Sequence, residues 1–210
     1  MRAVSPPPRR AAGFTLLEAL IAMAIMATLL AVGVPGMTDW LQASRATAAA
    51  EFYADGFKLA RGEALKHNSA SRIQLSENSA NGQMNWQVDL CFPTATLPCG
   101  EESGVWSSTV AAAAGDPEGA NGYKSVLRLA DALPKTSVLA PTHTPSGATA
   151  VYFTALGWVD TVFSPRLRRI DLLPARAGAF PSSAVVITLA GLTAKCDPTV
   201  AASDSRVCPP

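Results

Sequence analysis

The sequence predicts an α+β protein: a long N-terminal helix, transmembrane and then amphipathic, packed on a small antiparallel β-sandwich or sheet pair. Three observations carry that expectation. The run from Gly13 to Met37 is apolar with a single acid, Glu18, near its start. The next stretch, Thr38 to Lys66, contains no proline and is rich in helix formers. Beyond Asn68 the apolar pattern changes to a period of two, broken at intervals by Gly, Pro, Asn and Ser.

The first element is long enough to cross a bilayer. Phe14 to Met37 is 24 residues, and a helix rising about 1.5 Å per residue covers a hydrocarbon core of roughly 30 Å. A basic leader with Arg9 and Arg10 precedes it. Glu18 needs a cause, because an unpaired carboxylate near a bilayer centre costs about 2.5–3.5 kcal/mol on insertion scales. Either it sits at the membrane surface by the helix N-terminus, or a cation reaches it later. An α-amino group created by cleavage before Phe14 would be such a cation. An ordinary secretory signal fits less well, since its apolar core is shorter and ends in small residues, whereas Pro35-Gly36-Met37 closes this run. Arg9-Arg10 alone suggests a twin-arginine signal.

The helix is expected to continue past the membrane. Apolar residues at 49, 52, 53, 57, 60 and 64 form one stripe, and Glu51, Asp55, Lys58 and Arg61 form the opposite face. The first half is therefore apolar all round and the second on one side only. Roughly 50 residues of helix would run about 75–80 Å. Pro35, with Gly33 beside it, predicts a kink or local melting.

Met84 to Leu90 alternates apolar and polar side chains and reads as a half-buried strand. Further strands are expected at Arg72–Leu75, Gly104–Thr109, Ser125–Leu129, Thr149–Ala155, Trp158–Phe163, Leu167–Leu173 and Ala184–Leu189. Turns are expected at Asn78–Gly82, Gly115–Gly122, Pro141–Gly147 and Arg176–Pro181, with a long surface loop over Ala111–Gly122.

Gly13-Phe14-Thr15-Leu16-Leu17-Glu18 resembles the prepilin signal of type IV pilins. The resemblance implies cleavage between Gly13 and Phe14 by prepilin peptidase, N-methylation of Phe14, and Glu18 as the fifth mature residue, used in assembly. Pro35 becomes the twenty-second, the usual kink position. Leu59-Ala60-Arg61-Gly62-Glu63-Ala64 resembles the helix-end signature of the GspH/FimT pseudopilins. Phe153-Thr154-Ala155-Leu156-Gly157 and Val185 to Gly191, followed by Cys196, resemble their later strand and turn motifs. The pilin fold then implies a leader at 1–13, a membrane and assembly helix at 14–37, its amphipathic half at 38–67 and a periplasmic β-rich domain at 68–210.

As implied by this resemblance, the chain is a minor pilin or pseudopilin, a structural subunit of a type II secretion pseudopilus or a type IV pilus. It would stand in the inner membrane as a single pass with its C-terminal domain in the periplasm. Its partners would be other pilin or pseudopilin subunits and the prepilin peptidase/methyltransferase. The alternative is a DNA-binding pilus subunit for uptake, which some family members achieve with a glycine-arginine-x-arginine turn. Here that turn is Gly191-Leu192-Thr193-Ala194, without either arginine. Lys195 nearby and the cluster Arg166, Arg168, Arg169 remain candidate weak anion or DNA contacts. Without the leader the chain holds 14 basic against 16 acidic residues, so its charge proposes no obligatory nucleic acid.

Cys91, Cys99, Cys196 and Cys208 lack the close spacing of zinc sites. Disulfides suit an oxidising periplasm. Of three pairings, local closure favours Cys91–Cys99 and Cys196–Cys208, each worth about 2–3 kcal/mol, with four free thiols the alternative. No catalytic motif, cofactor or metal site is evident. His67 and His143 read as exposed loop residues, Trp40 as a membrane-interface residue, and Trp86, Trp106 and Trp158 as core.

Overall fold

The computed structural model describes residues 13–101 and 105–209. Helix α1 runs Leu16–His67; the strands are β1 Ala70–Glu77, β2 Met84–Cys91, β3 Val126–Arg128, β4 Leu139–Thr144, β5 Ala150–Phe153, β6 Arg169–Pro174, β7 Ser183–Ile187 and β8 Thr193–Cys196. All pair antiparallel in two four-stranded sheets, β3-β2-β1-β5 and β4-β6-β7-β8. The chain forms two compact units, one ending at Trp40 and the other starting at Leu41.

In the first unit the apolar side chains face outward: Leu16 is 80% exposed and Leu29 68%. This is the one helix of the described residues long and apolar enough to cross a membrane, with a mean hydropathy of 2.3 over its best window. The helix stays unbroken through residues 33–36. No melting accompanies the proline there, in contrast to that half of the expectation.

In the second unit α1 presents a face of small residues to both sheets. Ala46, Ala49, Ala50, Ala54, Ala60 and Ala64 are buried with Tyr53 and Phe57 between them. Against them pack Ile73, Leu75, Trp86 and Val88 of the first sheet and Ile170, Leu172, Val185 and Ile187 of the second. Gly56 sets the closeness of approach: a Cβ there would lie 2.7 Å from Ile73 Cδ1 and 3.0 Å from the Trp86 ring. The opposite face carries Asp55 and Lys58 in an exposed ion pair at 3.3 Å. The helix ends where Asn68 adopts φ 47° and the Ser69 amide bonds back to the Ala64 carbonyl at 3.1 Å, a left-handed cap. Lys66 and His67 complement the dipole in the last turn.

Gln83 ties the layers together. Its Nε2 donates to the carbonyls of Leu139 (2.7 Å) and Pro134 (2.8 Å), and its Oε1 accepts from the Tyr53 hydroxyl at 3.1 Å. The same hydroxyl accepts from the Met84 amide at 3.1 Å. A helix, the start of β2 and the start of β4 are thus joined through one buried amide. Covering the other face of the first sheet, Arg72 pairs with fully buried Asp89 at 2.8 Å and stacks over Trp106 at 4.4 Å.

Two expected strands do not form. At 105–109 the Ser107 amide donates to the Leu90 carbonyl, but the Leu90 amide turns to the Ser107 hydroxyl, so a side chain replaces the ladder; Gly104 lies outside the described residues. At Trp158–Phe163 a single bridge joins Val159 to Phe153. Asp160 then accepts the Val162 amide on its own carboxylate and turns the chain. Conversely, the turn expected from Pro141 is the middle of β4. That strand is the edge of its sheet, where proline's missing donor is tolerated. β8 was not expected; its Ala194 and Lys195 are exposed and show no apolar alternation.

Burial holds the Tyr53 phenol neutral up to about 12, above the ordinary value near 10. The unfolded chain releases this proton first, so stability is fully present below pH 10 and declines as pH rises through that range. Tyr53→Phe should lower unfolding free energy by about 1–3 kcal/mol at neutral pH, because the Met84 amide and Gln83 lose a partner. It should also make the alkaline decline shallower, both measurable by denaturant titration across pH.

Candidate functional site

The N-terminal segment is built for a helix that begins just after Phe14. Residues 13–15 precede the helix, and the Thr15 hydroxyl accepts the Glu18 amide at 3.2 Å while its carbonyl accepts the Ala19 amide at 3.1 Å. Thr15 is therefore the N-cap, and Thr15-Leu16-Leu17-Glu18 has the spacing of a capping box. That signal was readable in the sequence and was missed there. Capping puts Glu18 in the first turn, where the helix dipole favours a carboxylate. Among the described residues no cation pairs with it, and Phe14 is 78% exposed beside it. Gly13, Phe14 and Glu18 thus lie together at one end of an apolar rod.

A second constellation sits at the other end of α1. Arg61 donates from Nε to the Gly157 carbonyl at 3.2 Å. Gly157 lies against Arg61 and Leu65, and Gly191 lies against Gly157 and Arg61. Both glycines take positive φ, 71° and 74°, and close tight turns: the Gly157 amide bonds to Thr154 and the Gly191 amide to Thr188, each near 2.8–2.9 Å. So three separated stretches, the helix-end signature and two glycine turns, meet at one place. Arg61, expected on the solvent face, is half-buried because this carbonyl holds it.

Each histidine differs from the expected exposed loop residue. His67 belongs to α1, is half-buried, places Nε2 3.2 Å from Glu63, and packs against Tyr123 at 5.5 Å. His143 is a strand residue of β4, and burial pulls its imidazole below the usual range. Of the tryptophans, Trp86 is core and donates to the Phe52 carbonyl at 2.9 Å. Trp106 is half-buried. Trp158 is 62% exposed, since the strand that was to bury it is a turn.

Cys91 is bonded to Cys99 and Cys196 to Cys208, with Cα separations of 5.9 and 4.8 Å. The second bond ties the C-terminal tail to the end of β8. No group of metal-ligating side chains occurs among the described residues.

The basic residues do not form one patch. Lys195 pairs with Glu51 of α1, which holds that carboxyl below its usual range, and Arg169 pairs with Asp171 at 3.0 Å. Arg166 and Arg168 have no carboxylate partner among the described residues and border a groove beside Thr144, Leu189 and Pro209.

Gly191→Ala would set a Cβ 2.1 Å from the Gly157 carbonyl oxygen and force alanine into the left-handed region. It should destabilise by upwards of about 2 kcal/mol. Gly147→Ala, at a similar φ of 79° but with open space around it, should lose only about 1 kcal/mol. Thermal unfolding of the two variants separates close packing from backbone conformation.

Residues 8–34 match the family model described as the prokaryotic N-terminal methylation motif. Residues 48–191 match that described as type II transport protein GspH. No curated protein is found to be similar to the chain. Among solved structures, the crystal structure of the type IV minor pilin FimU of Pseudomonas aeruginosa is similar, at 15% identity and a TM-score of 0.45. That match covers 75% of this chain and 92% of FimU. Because the GspH model spans well over half of the sequence, including Arg61, Gly157 and Gly191, the chain belongs to the GspH family of type II transport proteins.

Proposed function

We propose that the chain is a minor pseudopilin that is cut between Gly13 and Phe14, N-methylated on Phe14, and polymerised through Glu18. Its family and its methylation motif make it a pilin-like structural subunit rather than an enzyme. The family's description as a type II transport protein supports the pseudopilus of a secretion system ahead of a type IV pilus.

The observation that carries the proposal is Glu18, without a cation partner among the described residues, at the capped start of a helix whose residues 16–34 are almost all apolar and all exposed. In the inner membrane, with the second unit in the periplasm, that carboxylate lacks a partner. The Phe14 ammonium of a neighbouring subunit supplies one, in a medium of low dielectric where the pair attracts strongly. Small residues (Ala22, Ala24, Ala27 and Ala31) let adjacent helices approach closely. Pro35 would loosen the helix under the strain of packing. Cys91–Cys99 and Cys196–Cys208 would keep the loops and tail of the periplasmic domain closed.

A DNA-uptake role draws no support from the turn at Gly191, where Lys195 is already occupied by Glu51.

Glu18→Leu should insert into the membrane and be cleaved normally, yet fail to cross-link with neighbouring subunits in cells. Wild-type levels of incorporation would remove the assembly role. Intact mass of the protein recovered from cells should begin at methylated Phe14; a retained leader would overturn the proposal.

A further inference from the structure

We propose that the groove beside Arg166 and Arg168 is a recognition site for an acidic, partly apolar extended segment of a partner protein. This goes beyond filament assembly through Glu18 and concerns the second unit alone.

The groove has a volume of about 400 Å³ and lies beside the start of β6 and the end of β7, with Pro209 on its rim. Its walls are mainly apolar, with Val186 and Leu189 among them, and its charges are all arginine. A smaller cleft of about 170 Å³, lined by Pro145, Ser164 and Pro165, shares Arg166 and Arg168 with it. The two guanidinium groups thus stand between adjoining depressions.

Three features fix the chemistry of the occupant. Arg169 is neutralised by Asp171, whereas Arg166 and Arg168 have no carboxylate among the described residues. Arg166 Nε is moreover buried without a hydrogen-bond partner among the described residues, which is costly for a charged donor unless something supplies an acceptor. A planar guanidinium fork matches a carboxylate in two parallel bonds. Finally, the apolar walls leave room for side chains beside the carboxylates, as an alternating acidic and aliphatic strand provides.

Nucleic acid fits these walls less well. None of the residues lining the groove is aromatic, so no base has a stacking platform. Two unpaired arginines also fall short of the several phosphate contacts that give duplex binding its affinity.

The local fold prepares the site. Leu167, between the two arginines, is 1% exposed and anchors this turn in the core. The Arg168 amide bonds to the Thr144 carbonyl and its carbonyl accepts the Ile187 amide. The disulfide from Cys196 to Cys208 holds Pro209 at the rim.

The test uses the full chain in nanodiscs of phosphatidylcholine, which carry no net charge. A fluorescein-labelled Glu-Leu-Glu-Leu-Glu-Leu peptide should bind saturably by anisotropy, and a Lys-Leu counterpart should not. Arg168→Gln, an exposed substitution, should weaken the peptide about tenfold, and Arg166→Gln at least as much. Arg176→Gln, at an exposed turn, should leave it unchanged. Unchanged thermal unfolding of Arg168→Gln keeps the result interpretable even if Arg166→Gln is unstable. Absence of peptide binding, equal binding by Arg168→Gln, or tighter binding of a labelled dT15 oligonucleotide would each overturn the proposal.

Discussion

Close approach of helix to sheet is the constraint on which the globular unit depends. Alanines at 46, 49, 50, 54, 60 and 64, with Gly56 among them, leave the helix surface thin enough for both sheets to reach it. Ile73 and Trp86 fill the space above Gly56, and Tyr53 and Phe57 fill what the alanines leave. Packed interiors tolerate little change in volume, so this seam fixes where both sheets sit. The register of each strand then follows, because a slip by one residue would turn its apolar side chains away from the helix.

Polar groups specify what apolar packing alone leaves loose. Gln83 is fully buried, yet its donors and its acceptor are all used, on three different parts of the fold. Asn81 works similarly on the carbonyls of Ala130 and Leu133. Such satisfied networks add modest net stability but penalise any arrangement that leaves one member unpaired. The same logic holds Arg61 to the Gly157 carbonyl and joins the two glycine turns to the end of α1. It brings three stretches that are distant in sequence to one place.

One helix has two characters. Residues 16–34 have almost nothing but apolar side chains, all exposed in the monomer, and their single carboxylate, Glu18, lies where a helix N-terminus can hold it. Its second half divides by face, with alanines inward and Asp55 and Lys58 outward. The proposed assembly step uses the first half and leaves the second committed to its sheets. Recognition of an acidic segment at Arg166 and Arg168 would use a surface that neither role occupies.

Much of this was legible in the residues alone. The extent of α1, its change of character and its buried stripe follow from helical periodicity, which is a local property. β1 and β2 announced themselves by alternation, and the Gly13-Phe14-Glu18 spacing is local too. What escaped were elements defined by their neighbours. β4 contains a proline that only an edge position tolerates, and β8 is a polar strand that exists because β7 offers a free edge. The strand expected at Trp158–Phe163 yields to the Asp160 turn, and Trp158 is left outside. Likewise the sequence displayed three arginines and a lysine as one basic inventory. Arg169 meets Asp171 two positions along its own strand, and Arg166 and Arg168 meet no carboxylate among the described residues. Only the folded chain decided that Lys195 meets Glu51 of α1, because partners brought together from distant positions are set by tertiary packing and not by local pattern.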